Sequence, residues 1–168
     1  MIQPLTIEEI HDYIVAAGSD NHQQFGGSFT GGYYCQQNPL ELAYLIHYLQ
    51  NKSPIKNYLE IGVAAAGTTR ILTELLSIEN VFLIDDDLHP AIPLARNNNL
   101  ESLKHNGLFY FFKGNSHSIE VYDWIKTNSY IDGFDFIFVD AEHTTSSVIS
   151  DINLIKPFAS SKALWAFH

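Results

Sequence analysis

Two periodicities alternate along this chain: apolar residues spaced three or four apart, and short unbroken apolar runs. Ile7, Ile10, Ile14 and Val15 keep helical spacing behind Thr6 and Glu9, a capping box, so an amphipathic helix is predicted from Ile7 to about Ala17. Asn38-Pro39-Leu40-Glu41 starts a second helix, with proline at its first position, running to about Gln50. The next apolar run, Asn57 to Gly62, is short and ends in glycine, as a buried strand does. A helix should follow from Thr68 to Leu76. The alternation then repeats: strand Val81–Ile84, helix from about Ala91 to Lys104, strand Leu108–Phe112, helix Ile119–Asn128, strand Phe134–Val139, helix Ser146–Ile155, and a fifth strand Ala163–Phe167.

Strands that alternate with helices require right-handed crossovers and a parallel sheet, because each helix must bury its apolar stripe against that sheet. The predicted class is therefore α/β, a doubly wound, mostly parallel Rossmann-like sheet of about five strands with helices on both faces. A chain of 168 residues, 46% hydrophobic, supports one such domain. In these sheets ligands gather beyond the carboxyl ends of the strands. The residues just after each strand are the ones to interrogate.

Charge narrows the ligand. Nine basic against nineteen acidic residues leave a net charge of -10, which repels nucleic acid and anionic membrane surfaces and suits a small neutral or cationic molecule. The single cysteine, Cys35, rules out an internal disulfide and reads best as a small buried residue. The amino terminus lacks the basic start and apolar stretch of a signal peptide, and no run is long enough to span a bilayer, so a cytoplasmic protein is expected.

After the first strand stands Glu60-x-Gly62-x-x-x-x-Gly67-Thr68-Thr69. Small residues let backbone pass close under a ligand, and free amides at a helix start offer hydrogen bonds. The glycine spacing of a dinucleotide site is absent, which disfavours a nicotinamide-dependent oxidoreductase. An acid at this strand end also repels phosphate and suits an amino group or a sulfonium. A plain strand-to-helix turn is the simpler alternative. After the second strand come Asp85-Asp86-Asp87, of which Asp85, directly behind the apolar run, is best placed to accept hydrogen bonds from ribose hydroxyls. Asp87 reads as a solvated turn.

Lys113-Gly114-Asn115-Ser116 follows the third strand and either bonds a base edge or caps the next helix. Asp140-Ala141-Glu142-His143 follows the fourth. Asp140 can hold a hard cation, orient a ligand or cap a helix, and a histidine at position 143 is of the residue type that serves as a general base. A loop histidine is more often structural than catalytic, so its position must decide.

In this order and spacing the residues resemble class I S-adenosylmethionine-dependent methyltransferases, and within them the small-molecule O-methyltransferases of the cephalosporin-biosynthesis and catechol type. Tyr58–Thr69 looks like that family's first motif, Asp85 like its ribose acid, Gly114-Asn115-Ser116 like its adenine-side turn, and Phe134–His143 like its fourth-strand motif; the match runs from about Pro39 to His168. The resemblance implies S-adenosylmethionine as cofactor. Glu60 and Gly62, with Val63, Ala64, Gly67, Thr68 and Thr69 of the same motif, would lie on its methionine side. Asp85 and Asp86 would hold the ribose, and Asn115 and Ser116 the adenine. Asp140 would stand beside the sulfonium, with His143 as its catalytic partner. Magnesium or another divalent cation on Asp140 and His168 belongs to the metal-dependent members. Residues 38–168 correspond to the cofactor-binding domain, and residues 1–37, an N-terminal helix and a glycine-rich loop, to a lid or acceptor-side region; from its position the loop Gly26–Gln37, with Phe29, Tyr33 and Tyr34, either lines or covers the acceptor pocket or is a plain connector.

Departures accompany the match. Ala66 replaces a frequent glycine, Ala141-Glu142 a common Gly-Asp, and Ser161-Lys162-Ala163 a common Pro-Gly-Gly. In the family an acid follows the residue corresponding to His168, then a helix and two further strands, so the chain reads as truncated at its carboxyl end. Two functions are expected to compete. One is methyl transfer to a hydroxyl of a small-molecule acceptor. The other is a non-catalytic cofactor-binding module that self-associates or binds a partner through an exposed sheet edge.

Overall fold

The computed structural model of the chain describes residues 4–18, 32–52, 54–87, 93–104, 108–129 and 132–168. Its elements, in chain order, are α1 (Ile7–Ala16), α2 (Pro39–Gln50), β1 (Asn57–Ile61), α3 (Gly67–Leu75), β2 (Asn80–Asp85), α4 (Pro93–Leu103), β3 (Leu108–Lys113), α5 (Ile119–Asn128), β4 (Phe134–Val139), α6 (Thr145–Ile155) and β5 (Ala159–Phe167). The five strands are all parallel, in the order β3-β2-β1-β4-β5, and with six helices they make an α/β Rossmann-like fold. None of the helices is long and apolar enough to cross a membrane, among the described residues.

Local chemistry sets most boundaries. Thr6 and Glu9 form the reciprocal capping box at the start of α1, and the Asn38 side chain accepts from the amides of Leu40 and Glu41 at the start of α2. α6 begins one residue before its predicted start because the Thr144 side chain accepts from the amide of Ser147. The larger difference is β5, which begins at Ala159 rather than Ala163. Its first residues, Ala159-Ser160-Ser161-Lys162, are too polar to read as a buried strand. They pair with β4 through a register irregularity between Phe134 and Phe136. An edge strand with one free side tolerates polar residues that a central strand would not.

Two compact units make up the chain: α1, α2, α3 and α4 belong to one, the five strands with α5 and α6 to the other, and the chain passes between them after Val63. In the sheet unit, Leu59, Ile61, Phe82, Ile84, Ile137 and Val139 point to one face and close on Val121 and Ile125 of α5 and Ile155 of α6. Alternation along β1 and β4 sends Tyr58, Glu60, Phe136 and Phe138 to the opposite face, where they too are buried. Burial on both faces is what made these strands read as unbroken apolar runs. Strand order reverses between β1 and β4, so Gly62 and Asp140 stand at the topological switch point.

In the helical unit, Glu74 of α3 accepts hydrogen bonds from the hydroxyls of Tyr13 and Tyr33 and pairs with Arg70 at 3.0 Å. The Arg70 guanidinium lies 3.7 Å from the centre of the Tyr33 ring. Burial, with Glu74 beside it, raises the pKa of Tyr13. Asn99 of α4 donates to the carbonyls of Tyr33 and Ala65, each at 2.7 Å, and so ties residue 33 to the turn before α3.

Candidate active site

The turn after β1 is shaped by two close approaches. Gly62 has φ +85°, and a Cβ there would stand 2.1 Å from the carbonyl oxygen of Asp140. The glycine of this motif thus admits the end of β4 itself. The amide of Asp140 donates to Ile61 at 2.8 Å and that of Gly62 to Ile84 at 2.9 Å, so the three central strand ends are laced together.

Asp85, 7% exposed, accepts from the amide of Val63 at 2.8 Å through one carboxylate oxygen and from that of Asp87 at 2.7 Å through the other. It braces the turn after β1 with charge-assisted bonds. Asp86 is exposed, and Asp87 pairs with Lys113 at 2.5 Å. Glu60 is buried and accepts from the Tyr58 hydroxyl at 2.8 Å.

Beyond Val63 the chain enters the helical unit. Ala64 and Ala66 both take left-handed conformations, φ +45° and +59°, and no side chain caps the first turn of α3, where Gly67, Thr68 and Thr69 are buried. A Cβ on Gly67 would meet the backbone of Tyr33, Tyr34 and Cys35, which therefore lies against that turn. Buried Cys35 places its sulfur 3.6 Å from the Thr68 hydroxyl, and Tyr34 packs with Ala64, Ala65 and Ala95. Phe29 and the glycine-rich stretch 26–31 lie outside the described residues.

At the other strand ends the sheet unit gathers a carboxylate and two imidazoles. Parallel pairing of Val139 with Phe167 sets Asp140 and His168 side by side, although they are 28 residues apart. One oxygen of Asp140, Oδ1, lies 3.0 Å from Nδ1 of His168 and 3.2 Å from Nε2 of His143. The two rings meet edge to face with centres 5.4 Å apart. Asp140 is 15% exposed, the histidines 57% and 45%, so the group is rooted in the fold and open on one side.

Asn115 and Ser116 belong to a different constellation. The Asn115 side chain accepts from the amide of His117 at 2.8 Å, and Nε2 of His117 lies 3.2 Å from Oδ1 of Asp151, a carboxylate on the buried side of α6. Burial pushes the Asp151 carboxyl above its ordinary pKa, against the opposing influence of Ser116 and His117. Sequence inspection missed this pair. The available signal was an acid one turn ahead of Ile155, on the stripe of α6 that packs against the sheet.

The methyltransferase-domain family matches residues 59–168, from the end of β1 through the Asp140–His143–His168 group. The chain belongs to this family. No curated protein sequence matches the chain. Among solved structures it is similar to the O-methyltransferase from Bacillus cereus in complex with SAH (S-adenosylhomocysteine), at 21% identity and TM-score 0.53 over 92% of this chain and 63% of that one. It is also similar to an SAH-bound methyltransferase from Podospora anserina, at 15% and 0.56 over 98% and 62%. A third likeness is to the N-methyltransferase NodS from Bradyrhizobium japonicum, at 17% and 0.52 over 76% and 65%. These likenesses are of fold. The chain spans 62% to 65% of the length of the three.

The donor set of the Asp140 group decides which ion could suit it. A magnesium ion is held by oxygens and keeps several waters. One carboxylate and two imidazoles do not match that requirement, so the group does not fit magnesium.

Proposed function

We propose that this chain is the donor-binding part of a methyltransferase that takes its methyl group from S-adenosylmethionine and delivers it to a hydroxyl of a small molecule. The observation that carries the reading is the meeting of Asp140, His143 and His168 at the ends of β4 and β5, inside the segment the family matches. Two of the similar structures hold SAH, the product this donor would leave.

The proposed roles follow the strand ends. Within the sheet unit Glu60, Gly62 and Val63 would lie along the donor's methionine side, Asp85 and Asp86 at the ribose, and Asn115 and Ser116 at the adenine. Acidic Glu60 and Asp140 favour a sulfonium, which carries positive charge. S-adenosylmethionine, when bound, would supply an activated methyl group: an acceptor oxygen would take it to form a C–O bond, and sulfur would keep the electron pair of the broken C–S bond. The hydroxyl proton passes to an imidazole. His143 is suited to take it, because Asp140 orients the ring and steadies the cation that results.

Calorimetry with S-adenosylhomocysteine tests the donor. Saturable binding is expected, and no binding at millimolar ligand would end the proposal. Methyl transfer to catechols and other small hydroxylated compounds tests the acceptor. A chain that binds the donor product yet never turns over any of them would instead support a non-catalytic cofactor-binding module.

A further inference from the structure

The two histidines that face Asp140 do so with the atoms a metal ion uses. Donor atoms at about 2.0–2.2 Å from a shared ion stand about 3 Å apart when their bonds to it are near right angles. Oδ1 of Asp140 is 3.0 Å and 3.2 Å from the two imidazole nitrogens, and the candidate ligand atoms of all three residues lie within 4.8 Å of one another. We infer that Asp140, His143 and His168 form a binding site for a first-row transition ion of the zinc, cobalt, nickel and iron(II) class, with His143 as a third ligand. It is not a magnesium site.

The donor chemistry selects the ion. Imidazole nitrogen suits these borderline cations, whereas magnesium and calcium take oxygen. Two histidines and a carboxylate fill three positions and leave others open to solvent or substrate, as a site that meets a substrate must. The backbone around them is held firmly. The amide of Asp140 bonds to Ile61, and that of His168 to Val139 at 3.2 Å. His143 sits between Glu142, which accepts from the Ser147 hydroxyl at 2.6 Å, and Thr144, the cap of α6. The ligands come from the ends of two adjacent strands and a capped loop, so the site is assembled by the sheet before any ion arrives.

The inference rests on the proposed function for its place beside the acceptor, but not for its ion. A bound ion of this class would draw charge from an acceptor oxygen and make it easier to ionise. With the ion bound, His143 would be a ligand in place of the base role given above, and the proton of the acceptor hydroxyl would leave to solvent on the open side of the group.

The test uses the intact chain, stripped of metal, with zinc alone and magnesium alone followed by calorimetry, and cobalt followed by visible absorption. Zinc is expected to bind with one-to-one stoichiometry, cobalt to give the ligand-field bands of a nitrogen–oxygen site, and magnesium to show no binding at millimolar concentration. His143→Ala and His168→Ala should each weaken zinc by about tenfold or more. Both side chains are about half exposed, so the variants should fold, and a melting curve checks this.

Magnesium binding as tight as zinc would overturn the ion class. Zinc binding that His143→Ala leaves unchanged would overturn the third ligand, and binding that survives loss of both histidines would place the ion elsewhere. Titrating S-adenosylhomocysteine into the same samples separates the two proposals. Failure of zinc with the nucleoside still bound sinks only this one.

Discussion

Gly62 and Asp140 are in contact through a hydrogen that no other side chain would leave room for. A Cβ on residue 62 would stand 2.1 Å from the Asp140 carbonyl oxygen, and the backbone there has φ +85°. The close approach falls where strand order reverses, so the turn after β1 and the end of β4 are positioned by one another.

Gly62→Ala should therefore cost about 3 kcal/mol or more, since backbone strain and a backbone clash act together. Urea unfolding of the two proteins measures this. A loss below about 1 kcal/mol would mean that β4 can give way.

Ala66 lies in a left-handed conformation, φ +59°, which costs an L-residue about 1–2 kcal/mol. Ala66→Gly relieves that cost but loosens the unfolded chain by about 0.4–1 kcal/mol, so a net gain of roughly 0 to 1.6 kcal/mol is expected. Ala66→Val should lose at least as much as the glycine gains. If the glycine variant unfolded more readily than the parent, the left-handed turn would not be the source of strain.

Asp85 binds two backbone amides with its two carboxylate oxygens. Asp85→Ala should lower stability by about 1–3 kcal/mol, and on the proposed function should weaken S-adenosylhomocysteine by a comparable amount. Thermal melts and calorimetry read the two effects separately. Lost stability with unchanged affinity would leave Asp85 a brace for the turn and nothing more.

Asp151 predicts a dependence on pH. Burial raises its pKa in the folded chain, so above the ordinary carboxylate range the fold holds this proton more firmly than the unfolded chain does. Its contribution to stability accordingly falls as pH rises from the unfolded value through the raised one, and the deficit persists at neutral pH. Asp151→Asn should melt above the parent at pH 7, the difference closing as pH drops below the ordinary carboxylate range. A variant less stable at pH 7 would show that the attraction of His117 outweighs burial.

How far the site was legible in the chain differs from residue to residue. Asp140, His143 and His168 stand out because each follows or ends a strand, and strands are readable from apolar runs. That both histidines share one oxygen of Asp140 was not readable, because it depends on the register of β5 against β4 and on the cap of α6. The glycine at position 62 was legible as a place of close approach, but that the Asp140 backbone is what approaches depends on β4 lying beside β1. The start of β5 was hidden because Ser160, Ser161 and Lys162 carry an edge strand's polarity.

By itself the sequence determined the kinds of element, their limits to within one or two residues except at the start of β5, and the α/β class, because periodicity, caps and glycines act within a few residues of where they stand. Only the tertiary structure decided the strand order β3-β2-β1-β4-β5 and the register that sets His168 beside Asp140. It also decided the pairing of buried Asp151 with His117. These are contacts between residues far apart in the chain, and an alternation of strands and helices is compatible with many such orders until the elements pack.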